Sequence, residues 1–277
     1  MTSSILNRLR CPVCGAEGCV DDSQKRYFCR GAKQHSFDFA KSGYLNLCLA
    51  PKSGDSKEAV RARSSFLEAG YYLPLAQEIC GILSELKAES VLDAGCGEGY
   101  YTNQMAAVCQ TVLGADLSKD GIDKASKNAK QKGTNAFFTV ASLFSLPVAD
   151  ASFDAVTNLF APCCEAEFSR ILKPGGHLIL VGAGERHLMG LKRLLYADTY
   201  LNPTRNDLPT ELTLCQKRNL KTEITVEGNE MIRALFSMTP YYWRTSESDR
   251  AKLNGVDRLN TELDFDIFVY RKEAAKA

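Results

Sequence analysis

A glycine-rich loop preceded by an aspartate is the first feature of the sequence with the residue types for chemistry. It follows a short apolar segment and runs Asp93-Ala94-Gly95-Cys96-Gly97-Glu98-Gly99. Glycines in such a turn let a helix begin with its free N–H groups aimed at a ligand. A side chain at Gly95 or Gly97 would occupy the space that the ligand needs. The loop therefore predicts a cofactor site between a strand and a helix.

Two classes of cofactor compete for this loop. A dinucleotide site uses the spacing G-x-G-x-x-G around a pyrophosphate, whereas the spacing here is G-x-G-x-G. A carboxylate at Asp93 would repel a pyrophosphate, but it suits the ammonium of the amino-acid moiety in S-adenosyl-L-methionine (SAM). Asp116 ends the next predicted strand, where an acid accepts both hydroxyls of a ribose, and Ala141-Ser142 ends the third, beside the expected adenine. These residues favour SAM over NAD, and the predicted cofactor-binding residues are Asp93, Gly95, Gly97, Gly99 and Asp116.

Cysteine and histidine near the N-terminus have the spacing of a metal site. Cys11-Pro12-Val13-Cys14-Gly15 forms a C-x2-C-G turn, and Cys29 and His35 follow it. Three thiolates and one imidazole complete a tetrahedral zinc shell without an open position, which predicts a structural rather than a catalytic zinc ion. Cys19 is the alternative to His35 as the fourth ligand. Four basic residues near this turn would suit contact with phosphate: Lys25, Arg26, Arg30 and Lys33.

A cysteine pair follows the fourth predicted strand, where the methyl acceptor of a SAM enzyme is expected. The segment is Asn158-Leu159-Phe160-Ala161-Pro162-Cys163-Cys164. A thiolate at Cys163 would attack C6 of a pyrimidine during C5 methylation. In the other interpretation the loop shapes a pocket for a ring nitrogen and needs no nucleophile. The residues alone leave both interpretations open.

Strands and helices alternate through the middle of the chain, and this predicts an α/β, doubly wound, mostly parallel, Rossmann-like sheet. An antiparallel hairpin is expected to complete seven strands, with a small zinc-ribbon module at the N-terminus. A linker is predicted at 50–56, and Arg61 and Arg63 on the helix after it are expected to face solvent or RNA. The predicted strands are 90–93, 111–116, 136–141, 153–159, 177–181, 220–226 and 264–270. The predicted helices are 57–69, 75–86, 100–109, 119–132, 165–172 and 229–237.

Composition places the chain among soluble globular proteins, since 45% of its 277 residues are hydrophobic and 24% are charged. No apolar run approaches the length of a bilayer span, and the first ten residues lack the apolar core of a signal peptide. Eleven cysteines, an odd number, indicate a reducing compartment and predict a cytoplasmic protein. Residues 1–63 carry 11 Lys/Arg against 6 Asp/Glu, which fits either a solvated surface or a module that faces a polyanion.

Two aromatic groups are expected mainly to pack in hydrophobic cores. Phe37, Phe39, Tyr44 and Leu47 would form the small core of the N-terminal module. Near the C-terminus lies Met238-Thr239-Pro240-Tyr241-Tyr242-Trp243-Arg244, for which core packing is favoured. The alternative for this second segment is a lid that stacks on a nucleic-acid base over the active site.

The motifs together resemble those of one family, the bacterial 23S rRNA guanine-N1 methyltransferases. The resemblance spans nearly the whole chain. It is carried by the zinc motif and the glycine loop and by five shorter motifs: His35-Ser36-Phe37-Asp38, Gly43-Tyr44-Leu45-Asn46-Leu47, Gly54-Asp55-Ser56, Ala161-Pro162-Cys163 and Met238-Thr239-Pro240.

This resemblance implies a SAM-dependent enzyme that methylates N1 of a guanine in a hairpin loop of 23S rRNA, and a homodimer. It implies zinc ligation by Cys11, Cys14, Cys29 and His35, and SAM binding by Tyr72, Tyr101, Thr102 and His187. It favours the interpretation of Cys163 without a nucleophile. The domains then comprise a zinc-binding RNA-recognition domain over 1–50, a linker with lead-in helices over 51–90, and a methyltransferase domain over 91–277.

The proton on N1 of guanine must leave during such a reaction. Asp154, Glu165 and solvent are the candidate acceptors, and the sequence does not distinguish them. Three other functions remain open: a pyrimidine C5 RNA methyltransferase that uses Cys163, a small-molecule methyltransferase, and a zinc-ribbon RNA-binding protein whose cofactor domain is inactive. The last would not bind SAM, and the second leaves the basic zinc module without a role.

Overall fold

The computed structural model describes residues 3–21, 23, 25–49, 55–203 and 209–273, so most of the predicted linker lies outside the described residues. The helices are α1 (Ser3–Leu6), α2 (Lys57–Glu68), α3 (Leu73–Glu85), α4 (Tyr100–Met105), α5 (Lys119–Lys132), α6 (Glu165–Ile171), α7 (Met189–Leu195), α8 (Asn229–Ser237) and α9 (Glu247–Ala251). The strands are β1 (Gly18–Val20), β2 (Arg26–Cys29), β3 (Ser36–Asp38), β4 (Leu45–Asn46), β5 (Ser90–Ala94), β6 (Thr111–Asp116), β7 (Ala136–Val140), β8 (Phe153–Leu159), β9 (Leu172–Ala183), β10 (Thr213–Glu227) and β11 (Arg258–Arg271).

The main sheet has the strand order β10-β11-β9-β8-β5-β6-β7-β4. The strands from β5 to β9 are parallel to one another, and β11 and β10 continue the sheet in antiparallel orientation. The predicted α/β sheet with its closing hairpin is therefore confirmed, and the seven predicted strands are all present. Because β5 lies between β6 and β8, the strand order reverses there, and ligands of such sheets bind at the carboxyl ends of the strands beside this point.

Local sequence accounts for the elements that surround this point. All five residues of β5 are buried, as expected for a central parallel strand with helices on both faces. Ser118 caps α5 by accepting a hydrogen bond from the Gly121 backbone N–H, and Gly133 ends it with a φ of +64°. Residues 173–176 form an irregularity within β9, between the register pairs that β9 makes with β8.

The N-terminal residues belong partly to the main sheet, which the sequence did not predict. Strands β1, β2 and β3 form a separate antiparallel sheet, but β4 pairs in parallel with β7 and becomes the eighth strand of the main sheet. Tyr44 and Leu47 pack against residues of the main sheet, so the prediction that they belong to a core of the zinc module alone is wrong. The Tyr27 hydroxyl donates to the carbonyl of Leu9, and Leu9 forms a bridge with Val148.

Within the described residues, the structure contains no helix that is both long enough and apolar enough to span a bilayer.

Candidate active site and metal centre

A cavity of about 1130 Å³ opens at the carboxyl ends of β5, β6 and β8. Helices α2, α4 and α8, the end of β9, and the segments that follow β9 and α8 contribute further walls. Seven of the predicted cofactor residues line it: Tyr72, Asp93, Gly95, Gly97, Tyr101, Asp116 and His187. Among the residues that the structure describes, Gly99, Thr102, Ala141 and Ser142 are not part of its lining. The structure thus brings together residues that lie more than one hundred positions apart in the chain.

The three glycines are required by backbone conformation and packing. Gly95, Gly97 and Gly99 have φ values of +86°, +53° and +75°. Residues that carry a Cβ rarely adopt this left-handed conformation. A Cβ at Gly95 would lie 2.4 Å from the Cβ of Ala161, and one at Gly99 would lie 2.7 Å from that of Ala125. The expectation that a side chain at Gly95 would only obstruct a ligand is therefore incomplete, because it would first clash with the end of β8.

Asp93 lies at the base of the cavity and is 2% exposed. Its two carboxylate oxygens accept hydrogen bonds from the hydroxyls of Thr102, at 2.6 Å, and Thr157, at 2.9 Å. Burial raises the pKa of Asp93 to about 6, although the two hydroxyls act in the opposite direction. Thr102 therefore acts on the site through Asp93, which it holds in place. Each carboxylate oxygen keeps a lone pair for a cationic ligand.

We expect SAM binding to weaken below pH 6. An ammonium group binds the ionised carboxylate of Asp93, and that carboxylate takes up a proton as the pH falls through its pKa of about 6. Affinity should be constant above this pH and fall about tenfold per pH unit below it. Isothermal titration calorimetry between pH 5 and pH 8 measures this, and an Asp93→Asn variant should have a nearly flat profile. Equal slopes for the two proteins would contradict this role for Asp93.

Asp116 ends β6 on the neighbouring side of the cavity. It accepts hydrogen bonds from the backbone N–H groups of Gly97, at 2.9 Å, and Ser118, at 2.7 Å. Burial raises its pKa, and these hydrogen bonds oppose the rise. The carboxylate is thus fixed by the turns on either side of it, which suits an acceptor for two ribose hydroxyls.

Arg63 is a site residue whose role sequence reasoning missed. Its guanidinium donates to Glu98 at 2.7 Å and to Asp55 at 2.5 Å, beside Gly97 and inside the cavity wall. The prediction that Arg63 faces solvent or RNA is therefore wrong. An arginine that pairs with a buried glutamate cannot be recognised from the sequence of α2 alone, because Glu98 lies 35 positions further along the chain. Arg61 does remain exposed, at the rim of the cavity.

Two tyrosines and a histidine form another part of the cavity wall. The backbone N–H of Asp264 donates to Nδ1 of His187, and burial lowers the pKa of His187 to about 4, so the ring is neutral at pH 7. Its proton therefore lies on Nε2, which donates to the Tyr72 hydroxyl at 3.2 Å. The Tyr72 hydroxyl keeps its own proton for a ligand. The buried Tyr101 hydroxyl has no partner among the described residues, so a ligand with polar atoms fits this wall.

The end of β8 carries backbone strain where the acceptor is expected. Phe160 has a φ of +56° and is 45% exposed, and it lines the cavity together with Ala161 and Pro162. The side-chain amide of Asn158 holds this turn by donating to the carbonyls of Ala94 and Pro162. Cys163 does not line the cavity.

Neither candidate base lines the cavity. Asp154 lies near the start of β8, away from the cavity, and accepts hydrogen bonds from Ser90 and from the Lys173 ammonium. Glu165 begins α6 and accepts from the backbone N–H of Glu211 at 2.6 Å. Both carboxylates are occupied in holding other segments in place.

The four predicted metal ligands converge at the N-terminal module. The ligand atoms of Cys11, Cys14, Cys29 and His35 all lie within 4.8 Å of one another. Cys14 Sγ is 3.7 Å from Cys29 Sγ, and His35 Nδ1 is 3.4 Å and 3.6 Å from the sulfurs of Cys29 and Cys11. A tetrahedral zinc ion places sulfur and nitrogen ligands about 3.5–3.8 Å apart, so this donor set fits zinc.

The surroundings of the four side chains favour the same ion. A hydrogen bond from the His35 backbone N–H lowers the pKa of the Cys29 thiol to about 6, against the effect of burial. Gly15 has a φ of +70° in the turn after Cys14, as the C-x2-C-G pattern predicts. Cys19 lies on β1 and is not part of this group.

Comparisons with known proteins match two regions of the chain. Residues 91–176 match a family model described as a methyltransferase domain, and residues 9–51 match one described as RlmA, N-terminal. A Bacillus subtilis protein named putative 23S rRNA (guanine-N(1)-)-methyltransferase YxjB is 31% identical over 95% of this chain and 96% of its own length. The 23S rRNA (guanine(748)-N(1))-methyltransferase of Streptomyces fradiae is 26% identical over 96% of this chain and 98% of its own.

Among solved structures, the YcgJ protein of Bacillus subtilis has the same fold. The match has a TM-score of 0.50 at 18% identity and covers 72% of this chain and all of YcgJ.

Proposed function

Since the chain belongs to the family of 23S rRNA (guanine-N1)-methyltransferases, we propose that it transfers the methyl group of SAM to N1 of a guanine in a hairpin loop of 23S rRNA. The observation that carries this proposal is the presence of two sites in one chain. One is a cavity whose base presents buried acids, and the other is a four-ligand metal centre in a module that shares a strand with the same sheet. A small-molecule methyltransferase would need only the first.

The proposed cofactor residues have distinct tasks in the cavity. Asp93 receives the ammonium of the amino-acid moiety, Asp116 receives the ribose hydroxyls, and the hydroxyls of Tyr72 and Tyr101 offer donors to the remaining polar atoms. His187 holds Tyr72 in place by a hydrogen bond. SAM supplies an electrophilic methyl group on a positively charged sulfur. Buried acids around the cavity favour this cationic ligand over a neutral one of equal shape.

The chain accelerates transfer by positioning the guanine against this methyl group. The guanine must leave its loop and enter the cavity with its Watson–Crick edge first, because N1 lies on that edge. The strained turn at Phe160, Ala161 and Pro162 shapes the end of the cavity for this edge. Because neither Asp154 nor Glu165 lines the cavity, we propose that the N1 proton passes to solvent.

The N-terminal module is proposed to grip the RNA around the hairpin loop. Cys11, Cys14, Cys29 and His35 hold a zinc ion there, and exposed basic side chains on the module face outward: Lys25, Arg30 and Lys33. We also propose a homodimer, which the resemblance to the family implies, and a cytoplasmic location, since the proposed substrate is ribosomal RNA. We propose three functional segments: a zinc-binding RNA-recognition domain over 1–50, a linker with lead-in helices over 51–90, and a methyltransferase domain over 91–277. Strand β4 of the first segment nevertheless belongs to the main sheet.

Methylation mapping tests the proposed function directly. The protein is incubated with SAM and with unmodified 23S rRNA, and the methylated bases are located by mass spectrometry. We expect one methyl group on N1 of a guanine in a hairpin loop. Methyl transfer to a pyrimidine carbon, or no transfer to RNA, would refute the proposal.

A Cys163→Ala variant separates the two interpretations of the Pro-Cys segment. We expect it to keep methyl transfer within about threefold of the unaltered protein, because Cys163 does not line the cavity. A covalent route through C6 of a pyrimidine would lose all activity with this variant. Single-turnover rates with saturating SAM make the comparison, and a loss of 10²-fold or more would support the covalent route.

A further inference from the structure

Trp243 stands out from the aromatic segment after α8, for which the sequence predicted either core packing or a lid. The structure divides the segment between these two roles. The hydroxyl of Tyr241 and the ring of Tyr242 are directed inward, where Tyr242 packs edge-on against Phe236 at 5.1 Å. Trp243 is 82% exposed and lines the mouth of the cavity. Core packing therefore does not account for Trp243.

The indole of Trp243 contacts the ring of its neighbour Tyr242. Its ring lies 5.0 Å from that of Tyr242 and nearly perpendicular to it, at 81°. The ring of Tyr242 contacts Phe236, and the guanidinium of Arg250 lies over it. The indole therefore packs against a ring that is itself held by two neighbours. A single exposed aromatic side chain is common on protein surfaces, so it is the position of Trp243 at the cavity that points to a ligand.

A second exposed aromatic residue lines the same cavity from another element. Phe160, at the end of β8, keeps a positive φ that only packing can maintain, and its ring contacts Phe265 at 5.6 Å. The rim between these elements also carries Arg61 and Arg233, together with Glu58 and Glu230. Arg61 makes no salt bridge within the described part of the chain. Aromatic faces interleaved with arginines are typical of surfaces that bind single-stranded nucleic acid.

We propose that the indole of Trp243 stacks on the guanine as it enters the cavity, and that this contact holds the base out of its hairpin loop. The inference rests on the proposed function, since it names the residue that receives the substrate base. A base that leaves a loop loses stacking with its neighbours, and an aromatic side chain at the mouth replaces that contact. The buried acids then lie deeper than the base, around the cofactor.

The chain contains one tryptophan. Fluorescence excited at about 295 nm, where tyrosine absorbs little, therefore reports on Trp243 alone. The probe is an unmodified RNA hairpin with the 23S rRNA loop sequence that is methylated in the mapping experiment. It is titrated into the protein with S-adenosylhomocysteine present, so that no turnover occurs. We expect saturable quenching of the fluorescence by the hairpin, and little change with S-adenosylhomocysteine alone.

Kinetics with variants complete the test. Trp243→Ala should raise KM for the hairpin about tenfold or more, with SAM affinity within about twofold of the unaltered protein. Trp243→Phe should recover most of the loss, because it restores a flat ring. Phe144→Ala is the matched control, since Phe144 is 63% exposed but does not line the cavity, and it should leave KM unchanged.

Other outcomes would overturn the proposal. Loss of SAM affinity in Trp243→Ala would place the indole against the cofactor. A shift of the emission with protein concentration, in the absence of RNA, would place it in an interface between two copies of the chain. Normal methylation with an unchanged KM in Trp243→Ala would refute the stacking role alone. If the unaltered protein methylates no RNA, the proposed function fails as well.

Discussion

Replacing Asp93 by asparagine is expected to weaken SAM binding about 100-fold and, at the same time, to stabilise the cofactor-free protein. The loss of affinity arises because asparagine keeps the shape but removes the charge that faces the ammonium. A factor of 100 corresponds to about 2.7 kcal/mol, which is typical when one partner of a buried charged contact is lost. Methyl transfer at limiting SAM should fall at least as far.

The gain in stability follows from the pKa of the same group. Burial raises the folded-state pKa of Asp93 to about 6 from an ordinary value of 3.8, so its ionised form costs the folded state about 3 kcal/mol at pH 7. This cost is absent below pH 3.8 and grows as the pH rises to 6. Asparagine removes it, but one of the two threonine hydroxyls then loses its acceptor, at about 1 kcal/mol. The net expectation is about 2 kcal/mol of added stability.

Asp154→Asn is the matched control, because Asp154 also lies on a strand of this sheet but is near the opposite end. Burial opposes its ionisation, yet the hydrogen bonds from Lys173 and Ser90 prevail and lower its pKa. Its substitution should therefore destabilise the protein and leave SAM binding unchanged. Urea unfolding without cofactor and calorimetry with SAM measure both quantities. Destabilisation by Asp93→Asn, with unaltered SAM affinity, would refute the assignment of Asp93.

Replacing Cys29 by alanine is expected to abolish zinc binding and unfold the N-terminal module. Cys29 provides one of four ligand atoms that converge within 4.8 Å, and a structural zinc ion in a small module contributes about 10 kcal/mol or more of apparent binding free energy. Among the described residues, the separate sheet of the module has three short strands, so we expect this sheet to depend strongly on the ion. RNA affinity should fall by at least 10²-fold.

The cavity should survive this substitution, since its lining comes from residue 55 onward. SAM affinity is therefore expected to stay within about threefold. Zinc content by mass spectrometry, RNA binding by filter retention and SAM calorimetry make the measurements. Cys19→Ala is the control, because Cys19 lies outside the ligand group and its loss should leave one zinc ion per chain. Zinc loss in Cys19→Ala, together with zinc retention in His35→Ala, would reverse the assignment of the fourth ligand.

Local sequence predicted the elements around the cavity with small errors. The bounds of β6, α5, β8 and α8 agree with the structure at both ends. This agreement arises because capping residues lie next to the helix that they end. Ser118 and Gly133, for example, directly flank α5. Errors occur where the end of an element depends on packing. Helix α4 ends at Met105, four residues before the predicted end.

The strand β4 could not be predicted, because two residues carry no periodicity. Its pairing with β7 depends on a partner more than 90 positions away, and the same pairing moves Tyr44 and Leu47 from the zinc module to the main core.

The sequence by itself determined which chemical groups are available: two acids and three glycines that we assign to a cofactor, four side chains that we assign to a metal ion, and an aromatic segment. Residue type and short-range spacing suffice for this, because a thiolate or a carboxylate has the same donor properties wherever the chain places it. Only the tertiary structure decided which groups meet. It turned Arg63 inward to Glu98, placed Thr102 behind Asp93, and left Cys163 out of the cavity. These outcomes depend on contacts between strands and helices that are distant in the chain. The energies of such contacts cannot be inferred from a local pattern of residues.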